Sequence, residues 1–404
     1  MLDIKFIREN KDLIKEAARK KHVKVDIGRL LAVDEKRRAL ISEVDALRQE
    51  HKKFTGASEE AKISKDKLLH KEFELGAVEK EFEELMLQIP NAPDPSVPEG
   101  ESDAENQEIR KWGEIKVEHG KNYMNLMQER SALDLERGVK VSGFRGYFLK
   151  GDAALLSLAL WQFTLDFLAK KGFTPFLAPA LVKEKNFMGT GWFPQAREDV
   201  YKTQDDLYLS GTAEVPMMGY HAGEILKEED LPKKYVVFSP CFRREAGSHG
   251  KDAKGIFRVH EFFKVEQVVL CKADHMESVG WHEELTKNSE EIMRVLEIPY
   301  RVVVNCGGDL GLGQVKKYDI EAWIPSEKRY RETHSASYFH DFQTRRLNIK
   351  YKDSSGKIHF AHSLNNTAIA TPRVLEALLE NHQEEGGGIK IPAALQKYLG
   401  KEKI

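Results

Sequence analysis

The densest chemical content in this chain lies between Tyr235 and Leu270, in YVVFSPCFRREAGSHGKDAKGIFRVHEFFKVEQVVL. The spacing predicts two long strands joined by a loop that holds Gly247, Gly250 and Gly255, with Lys251 and Lys254 between them. In the second strand, alternation groups Arg258, His260, Phe262, Lys264 and Glu266 on one face, and Phe257, Val259, Phe263 and Val265 on the other. In the first strand Cys241, Arg243 and Glu245 share a face by the same rule. A face that collects cations, a ring and carboxylates suits a multiply charged ligand with a flat ring. A solvated ladder of salt bridges is the competing explanation. Upstream, LYLSGTAE reads as a strand closed by a turn at Ser210 and Gly211, which sets Thr212 and Glu214 at an exposed loop or helix start. Downstream, Thr371, Pro372 and Arg373 read as the cap, first position and first turn of a late helix that Gly386–Gly388 terminate. A cation beside the positive pole of a helix dipole is an arrangement that binds phosphate.

These residues need a scaffold, and the chain is long enough for one. It has 404 residues, and Lys plus Arg (63) nearly balance Asp plus Glu (65), so any attraction for a polyanion must come from a local patch. Cys241, Cys271 and Cys306 are scattered with no CxxC, so neither a disulfide framework nor a structural zinc is expected. No stretch reads as a signal peptide or as membrane-spanning, and a cytoplasmic protein with no membrane partner is expected. Between Ile27 and Phe54, Leu40, Val44, Leu47 and Phe54 fall at heptad spacing, interrupted at Gly56, Ala57 and Ser58. A second pattern follows through Leu68, Leu75, Val78, Phe82 and Leu85. Two such helices predict an antiparallel coiled-coil hairpin over about 27–90, with Arg37, Arg38, Arg48, Lys52, Lys53, Lys62, Lys65 and Lys67 on its outer faces. Its narrow stripe buries a partner helix and little else, so the hairpin is expected to project into solvent.

The proline-rich segment 87–107 predicts a boundary, with domains over 1–105 and 106–404. Beyond it, residues 153–171 form an apolar helix that feeds FTPFLAPALV. Pro175 and Pro179 suit that segment to a sheet edge or a subunit interface. YRVVVNCGGDLGLGQ has GxG-like spacing without a following helix, so it fails the context of a dinucleotide fingerprint. No strand–helix–strand unit recurs over residues 150–400, which predicts an α+β domain with a mainly antiparallel sheet.

Three separated segments then carry a resemblance. Phe173 to Val182 with Pro179 is similar to class II motif 1, Phe242-Arg243-Arg244-Glu245 with the strand through Arg258 to motif 2, and Asn365 to Leu379 with Arg373 to motif 3. Together with GTAEVP at Gly211–Pro216, RVHEFFKVE at Arg258–Glu266, ETHSAS at Glu332–Ser337, DFQTRR at Asp341–Arg346 and the N-terminal hairpin, the whole chain resembles bacterial seryl-tRNA synthetase, a class II aminoacyl-tRNA synthetase. It departs from commoner versions of the pattern at Arg244, at His334 and at Thr367.

The resemblance implies a class II catalytic domain, an antiparallel sheet flanked by helices, behind a tRNA-binding arm. It implies activation of L-serine by ATP and transfer to tRNA(Ser), with tRNA(Sec) as a further partner, by a homodimer joined through motif 1. It assigns Arg243 and Arg373 to catalysis. It assigns Arg243, Arg244, Glu245, Val259, Phe262, Glu332, Thr333, His334, Ser335 and Arg373 to ATP, with Phe262 and Arg373 on opposite faces of adenine. Thr212, Ala213, Glu214, Arg243, Glu266 and Thr367 are assigned to serine, and Glu332 and Ser335 to Mg²⁺. Loop 246–256 is assigned to the acceptor end of the RNA and the arm to its long variable arm. Two other readings share most of these features: an activator that loads a carrier other than tRNA, and an inactive paralogue that serves as an RNA-binding protein. The full arm speaks against the first. The presence of Arg243, Glu266, Glu332 and Arg373 speaks against the second.

Overall fold

The computed structural model describes residues 1–54, 58–117, 120–247, 250, 252 and 254–404. Gly56 and Ala57, expected to break the heptad pattern, and Lys251 of the loop lie outside them. The chain forms two compact units, 1–92 and 93–404. The division falls earlier than 105/106 because 93–105 is tied to the second unit by backbone and side-chain bonds. Asp94 N donates to Val315 O, Gly307 N to Pro98 O, and the Tyr338 hydroxyl to Asp94 Oδ2 at 2.9 Å.

The first unit holds α1 (Ile4–Glu9), α2 (Lys11–Lys20), α3 (Ile27–His51) and α4 (Glu59–Gln88). Asp26 and Ser58 cap α3 and α4 by accepting from Arg29 N and Ala61 N. Leu40, Val44 and Val78 are buried along the shared seam. Arg29 pairs with Glu81 at 2.8 Å and Arg48 with Glu72 at 2.8 Å; rising numbers on one helix meet falling numbers on the other, so the pair is antiparallel.

The second unit is built on one eight-stranded sheet: β1 (Gln107–Trp112), β2 (Thr174–Leu177), β3 (Lys233–Phe242), β4 (Glu261–Cys271), β5 (Tyr300–Val304), β6 (Lys316–Ile324), β7 (Arg329–Tyr338) and β8 (His362–Thr371). Their spatial order is β1-β5-β6-β7-β8-β4-β3-β2, and only the β2–β3 pair is parallel. The proline-bearing β2 is an edge strand, as its missing N–H requires. The expected α+β architecture with a mainly antiparallel sheet is observed.

Helix α5 (Asp152–Lys170) is the packing partner of the central strands: Leu156, Leu160, Phe163 and Leu168 share a buried cluster with Val236, Val265 and Val269. Contrary to expectation, this helix is long and apolar enough to cross a bilayer, with a mean hydropathy of 1.3. Its buried face shows why the sequence is so apolar: it serves a core. Helix α6 (His275–Val295) lies against β7 and β8, and α7 (Arg373–Asn381) follows β8 directly.

Three local expectations fail. β4 begins only at Glu261, so residues 257–260 are not part of its alternation, and β3 ends at Phe242, before Arg243 and Glu245. Thr371 is the last residue of β8 and no cap: its hydroxyl accepts from Trp161 Nε1 at 2.9 Å and donates to Phe263 O at 3.2 Å, while Pro372 stands at the cap position. Helix α7 ends at Asn381, short of the glycines.

Leu156→Ala is expected to destabilise this unit by about 2–5 kcal/mol through the lost contacts and the residual cavity. All five tryptophans (112, 161, 192, 281 and 323) lie beyond residue 92. Denaturation followed by their fluorescence therefore reads the second unit alone.

Candidate functional site

A cavity of about 270 Å³ opens on the sheet where β4, β7 and β8 meet the loops after β3 and before α7. Thr212, Glu214, Arg243, Glu245, Val259 and Phe262 line it, as do Glu266, Glu332, Thr333, His334, Ser335, Thr367 and Arg373. Two candidates do not. Arg244 turns to a neighbouring loop, where its backbone N donates to Asp199 O at 2.9 Å and its Nη1 to Glu198 O at 3.1 Å. Ala213 is buried and contributes its backbone N–H, which donates to Glu266 Oε2 at 3.0 Å.

Register explains the carboxylate end. Glu266 stands opposite Thr367 across the β4–β8 pair and opposite Val237 across β3–β4, flanked by a strand on each side. Its Oε2 accepts from Thr212 Oγ1 at 2.5 Å and pairs with Lys264 Nζ at 2.7 Å, and Lys264 Nζ donates to Thr212 Oγ1 at 3.0 Å. Thr212 and Glu214 were expected at an exposed position. Both are buried, because this knot draws the 210–214 turn onto the sheet. Glu214 Oε1 accepts from Gln343 Nε2 at 2.5 Å, and Oε2 from Trp192 Nε1 at 3.5 Å. Burial, aided by the Glu266 charge, pushes the Glu214 carboxyl up to about 7, against the opposing effects of Gln343 and Lys264.

The cationic end is assembled from segments that no periodicity connects. Arg243 is held by its backbone N on His260 O at 3.0 Å, and its guanidinium lies 5.4 Å from the Phe262 ring and 5.8 Å from Trp192. Its Nε is buried without a hydrogen-bond partner in the protein. Arg373 lies 4.7 Å over the Phe257 ring and pairs with Glu332 Oε2 at 3.2 Å. The Glu332 side chain is 46% exposed at the cavity mouth. Crowding by the protein raises its pKa, but Arg373, Lys317 and Arg243 outweigh that and hold the carboxyl below its usual range. Glu245 sits at φ +55° and pairs with Arg258 at 3.0 Å.

His334 lines the wall but offers no ring nitrogen to a ligand: Nε2 donates to Ala368 O at 3.1 Å, and Nδ1 lies 2.7 Å from Thr333 Oγ1. Burial pushes its pKa down to about 4, so the ring is neutral near pH 7. Sequence reasoning missed Trp192, Lys317 and the partner role of Gln343. Gln343 lay inside DFQTRR, but only the fold brings it to Glu214. A larger, apolar cleft of about 690 Å³ lined by Phe144, Leu158 and Trp161 has no comparable convergence of charges.

Among the described residues no three His, Cys, Asp or Glu side chains stand together as a metal cluster. An ionised, solvent-reached Glu332 on a cavity wall that also carries Ser335 fits a hard cation held by one carboxylate and by the oxygens of a ligand.

Comparison with known proteins agrees with this geometry. Residues 198–382 match the tRNA synthetase class II core domain (G, H, P, S and T), and residues 1–67 match the seryl-tRNA synthetase N-terminal domain. The serine–tRNA ligase of Deinococcus radiodurans is 46% identical, with 100% of this chain and 99% of that protein covered. This chain belongs to the seryl-tRNA synthetase family. A crystal structure of seryl-tRNA synthetase from Pyrococcus horikoshii complexed with ATP superposes with a TM-score of 0.91 at 41% identity, covering 100% of this chain and 99% of that one. The cytoplasmic serine–tRNA ligase of Naegleria fowleri in complex with AMP superposes with a TM-score of 0.90 at 34% identity, covering 100% and 98%.

The raised Glu214 pKa predicts a pH-dependent stability. Its ionised form is disfavoured by folding, so the penalty is absent below about pH 4, grows as pH rises, and is complete above about pH 7. Glu214→Gln is therefore expected to stabilise the protein by about 1–3 kcal/mol at pH 8 and by much less at pH 5 in thermal unfolding.

Proposed function

We propose that the protein activates L-serine with ATP, giving seryl-adenylate and pyrophosphate, and transfers the seryl group to the terminal adenosine of tRNA(Ser), and also of tRNA(Sec), in the cytoplasm. The observation that carries this reading is the polarity of the cavity, with arginines at one end and buried carboxylates at the other. Serine brings a carboxylate and an ammonium, and ATP brings phosphates and a ring.

In this reading Arg243 binds the α-phosphate and the attacking carboxylate, offsetting their repulsion and stabilising charge that develops at phosphorus. Its Nε without a protein partner supports that role. Arg373 binds the γ-phosphate end and covers one face of adenine, and Phe262 stacks on the other. Val259 offers its backbone, and Glu245 its carboxylate, to the adenine edge. Glu332 and Ser335 would hold Mg²⁺, with Thr333 and His334 contributing wall. The ion, when bound, supplies positive charge to the phosphates. Glu214 has only neutral donors around it, which suits it to the substrate ammonium. Glu266, with Thr212 and Thr367 beside it, suits the hydroxyl. A site that hydrogen-bonds an OH rejects the analogue lacking it by ~10⁴–10⁵-fold, so alanine is a poor substrate.

The arm has a division of labour that supports RNA binding. Arg37 and Arg48 are engaged in cross-helix pairs with Glu79 and Glu72, Arg38 pairs with Asp34, and Lys62 with Glu59. Among the described residues no ion pair engages Lys52, Lys53, Lys65 or Lys67. Lysines outside the cross-helix pairs suit contacts with RNA backbone. Exposed Leu155 and Leu158 on α5, with Leu177 of β2 and Leu181, support a homodimer through motif 1.

Serine-dependent pyrophosphate exchange tests the first step: its absence would refute the reading. Because Glu214 must ionise to meet the ammonium, KM for serine is expected to rise up to about tenfold per pH unit below pH 7, with KM for ATP unmoved. Removal of the α3–α4 hairpin is expected to spare exchange and to lower tRNA charging at least a hundredfold. Charging at the normal rate would show that the arm has no part in RNA selection.

A further inference from the structure

The two buried carboxylates of the cavity are compensated unequally, and that asymmetry has a specific source. Glu266 is 3% exposed, and one of its oxygens, Oε2, takes Lys264 Nζ at 2.7 Å, Thr212 Oγ1 at 2.5 Å and Ala213 N at 3.0 Å. Glu214 is 6% exposed and has Gln343 and Trp192 as its donors, both neutral. Lys264 is itself 5% exposed, in the middle of β4 with Ser239 on one side and Ala370 on the other. A lysine is almost never buried this deeply unless it is paired. Its charge is therefore committed to the Glu266 oxygen and the Thr212 hydroxyl, and it cannot swing out to another anion.

Lys264 answers Glu266, which leaves Glu214, with its two neutral donors, as the carboxylate that meets the α-ammonium of an amino acid. A side chain that brought a second ammonium to Glu266 would meet Lys264 as a like charge in a region screened from water, where such repulsion is strong. A neutral hydroxyl has no such conflict and can donate to Glu266. The geometry points to Lys264 as the specificity-determining residue that reserves the Glu266 end of the pocket for a neutral hydroxymethyl group and rejects side chains of the same size that carry an ammonium. The inference rests on the serine reading proposed above. It extends that reading to what the pocket excludes.

L-2,3-diaminopropionate is the discriminating probe, because it replaces the serine hydroxyl by an amine of nearly equal size. Pyrophosphate exchange at pH 7 is measured with L-serine and with L-2,3-diaminopropionate for the wild-type protein, Lys264→Met and Lys264→Gln. The wild-type protein is expected to use serine and to reject the diamine. In both variants the ratio of kcat/KM for the diamine to that for serine is expected to rise at least a hundredfold, with KM for ATP changed by less than about threefold. Met keeps the length of the stem, and Gln keeps a donor for Thr212 without the charge. A merely structural lysine would lower both activities together and leave the ratio unmoved, and that result overturns the inference. Failure of both variants to fold overturns it too, since a charge required for folding is not a determinant of selection. The wild-type serine arm separates the two claims: no serine exchange there refutes the proposed function, whereas serine exchange with an unmoved ratio in the variants refutes only the role of Lys264.

Discussion

A lysine and a glutamate buried side by side in an interior strand of the sheet are the constraint around which the site is arranged. Lys264 and Glu266 point to the same side of β4 because alternation allows nothing else, and they meet at 2.7 Å. Removing two charges from water is costly, and their attraction offsets that cost only when the remaining donors and acceptors are also satisfied. Thr212 and the Ala213 N–H provide that satisfaction. In doing so they pull a turn that its sequence suits to the surface down onto the sheet. Glu214 follows as the first residue of a short helix (Glu214–Tyr220), and it is buried as a consequence.

The same logic makes the cavity polar from end to end in a chain whose total charge is close to neutral. Arg243 and Arg373 come from separate segments, the loop after β3 and the start of α7, and each is oriented by backbone oxygens and an aromatic ring rather than by a lone carboxylate. A guanidinium held that way keeps donors for a ligand. Glu332 is the exception at the mouth, paired with Arg373 yet open to solvent, which leaves its carboxylate able to exchange a protein cation for a bound one. The hairpin of the first unit repeats the pattern on a helix surface, where cross-helix pairs such as Arg29–Glu81 and Arg48–Glu72 offset charge along the seam.

Much of this was legible in the residues, and the failures are instructive. Periodicity found the paired helices, the apolar α5 and the antiparallel strands, because burial imposes period 3.5, 3.6 or 2 on any sequence that packs. It misplaced the start of β4, because Phe257 and Val259 continue the alternation by coincidence while the backbone there is bent. It read Thr371 as a cap because a threonine before proline and arginine is the usual signature; Trp161 of α5 instead engages the hydroxyl. Its grouping of Arg243 with Cys241 and Glu245, apart from Arg244, rested on a strand that does not reach them. The strand ends between Phe242 and Arg243, and once alternation stops, adjacent residues are sorted by loop geometry alone.

The amino-acid sequence by itself determined the fold class, the two-part organisation and the membership of most site residues, because patterning and motif chemistry are local properties. Tertiary structure alone decided what each group touches. Only register places Thr367 opposite Glu266. Only a buried turn brings Glu214 to the neutral donors Gln343 and Trp192. Pairing energy depends on distance and on exclusion of water, and neither is written along a chain. That is why Lys264 reads in sequence as one more charge on a polar face and in the folded protein as the counter-charge of the pocket.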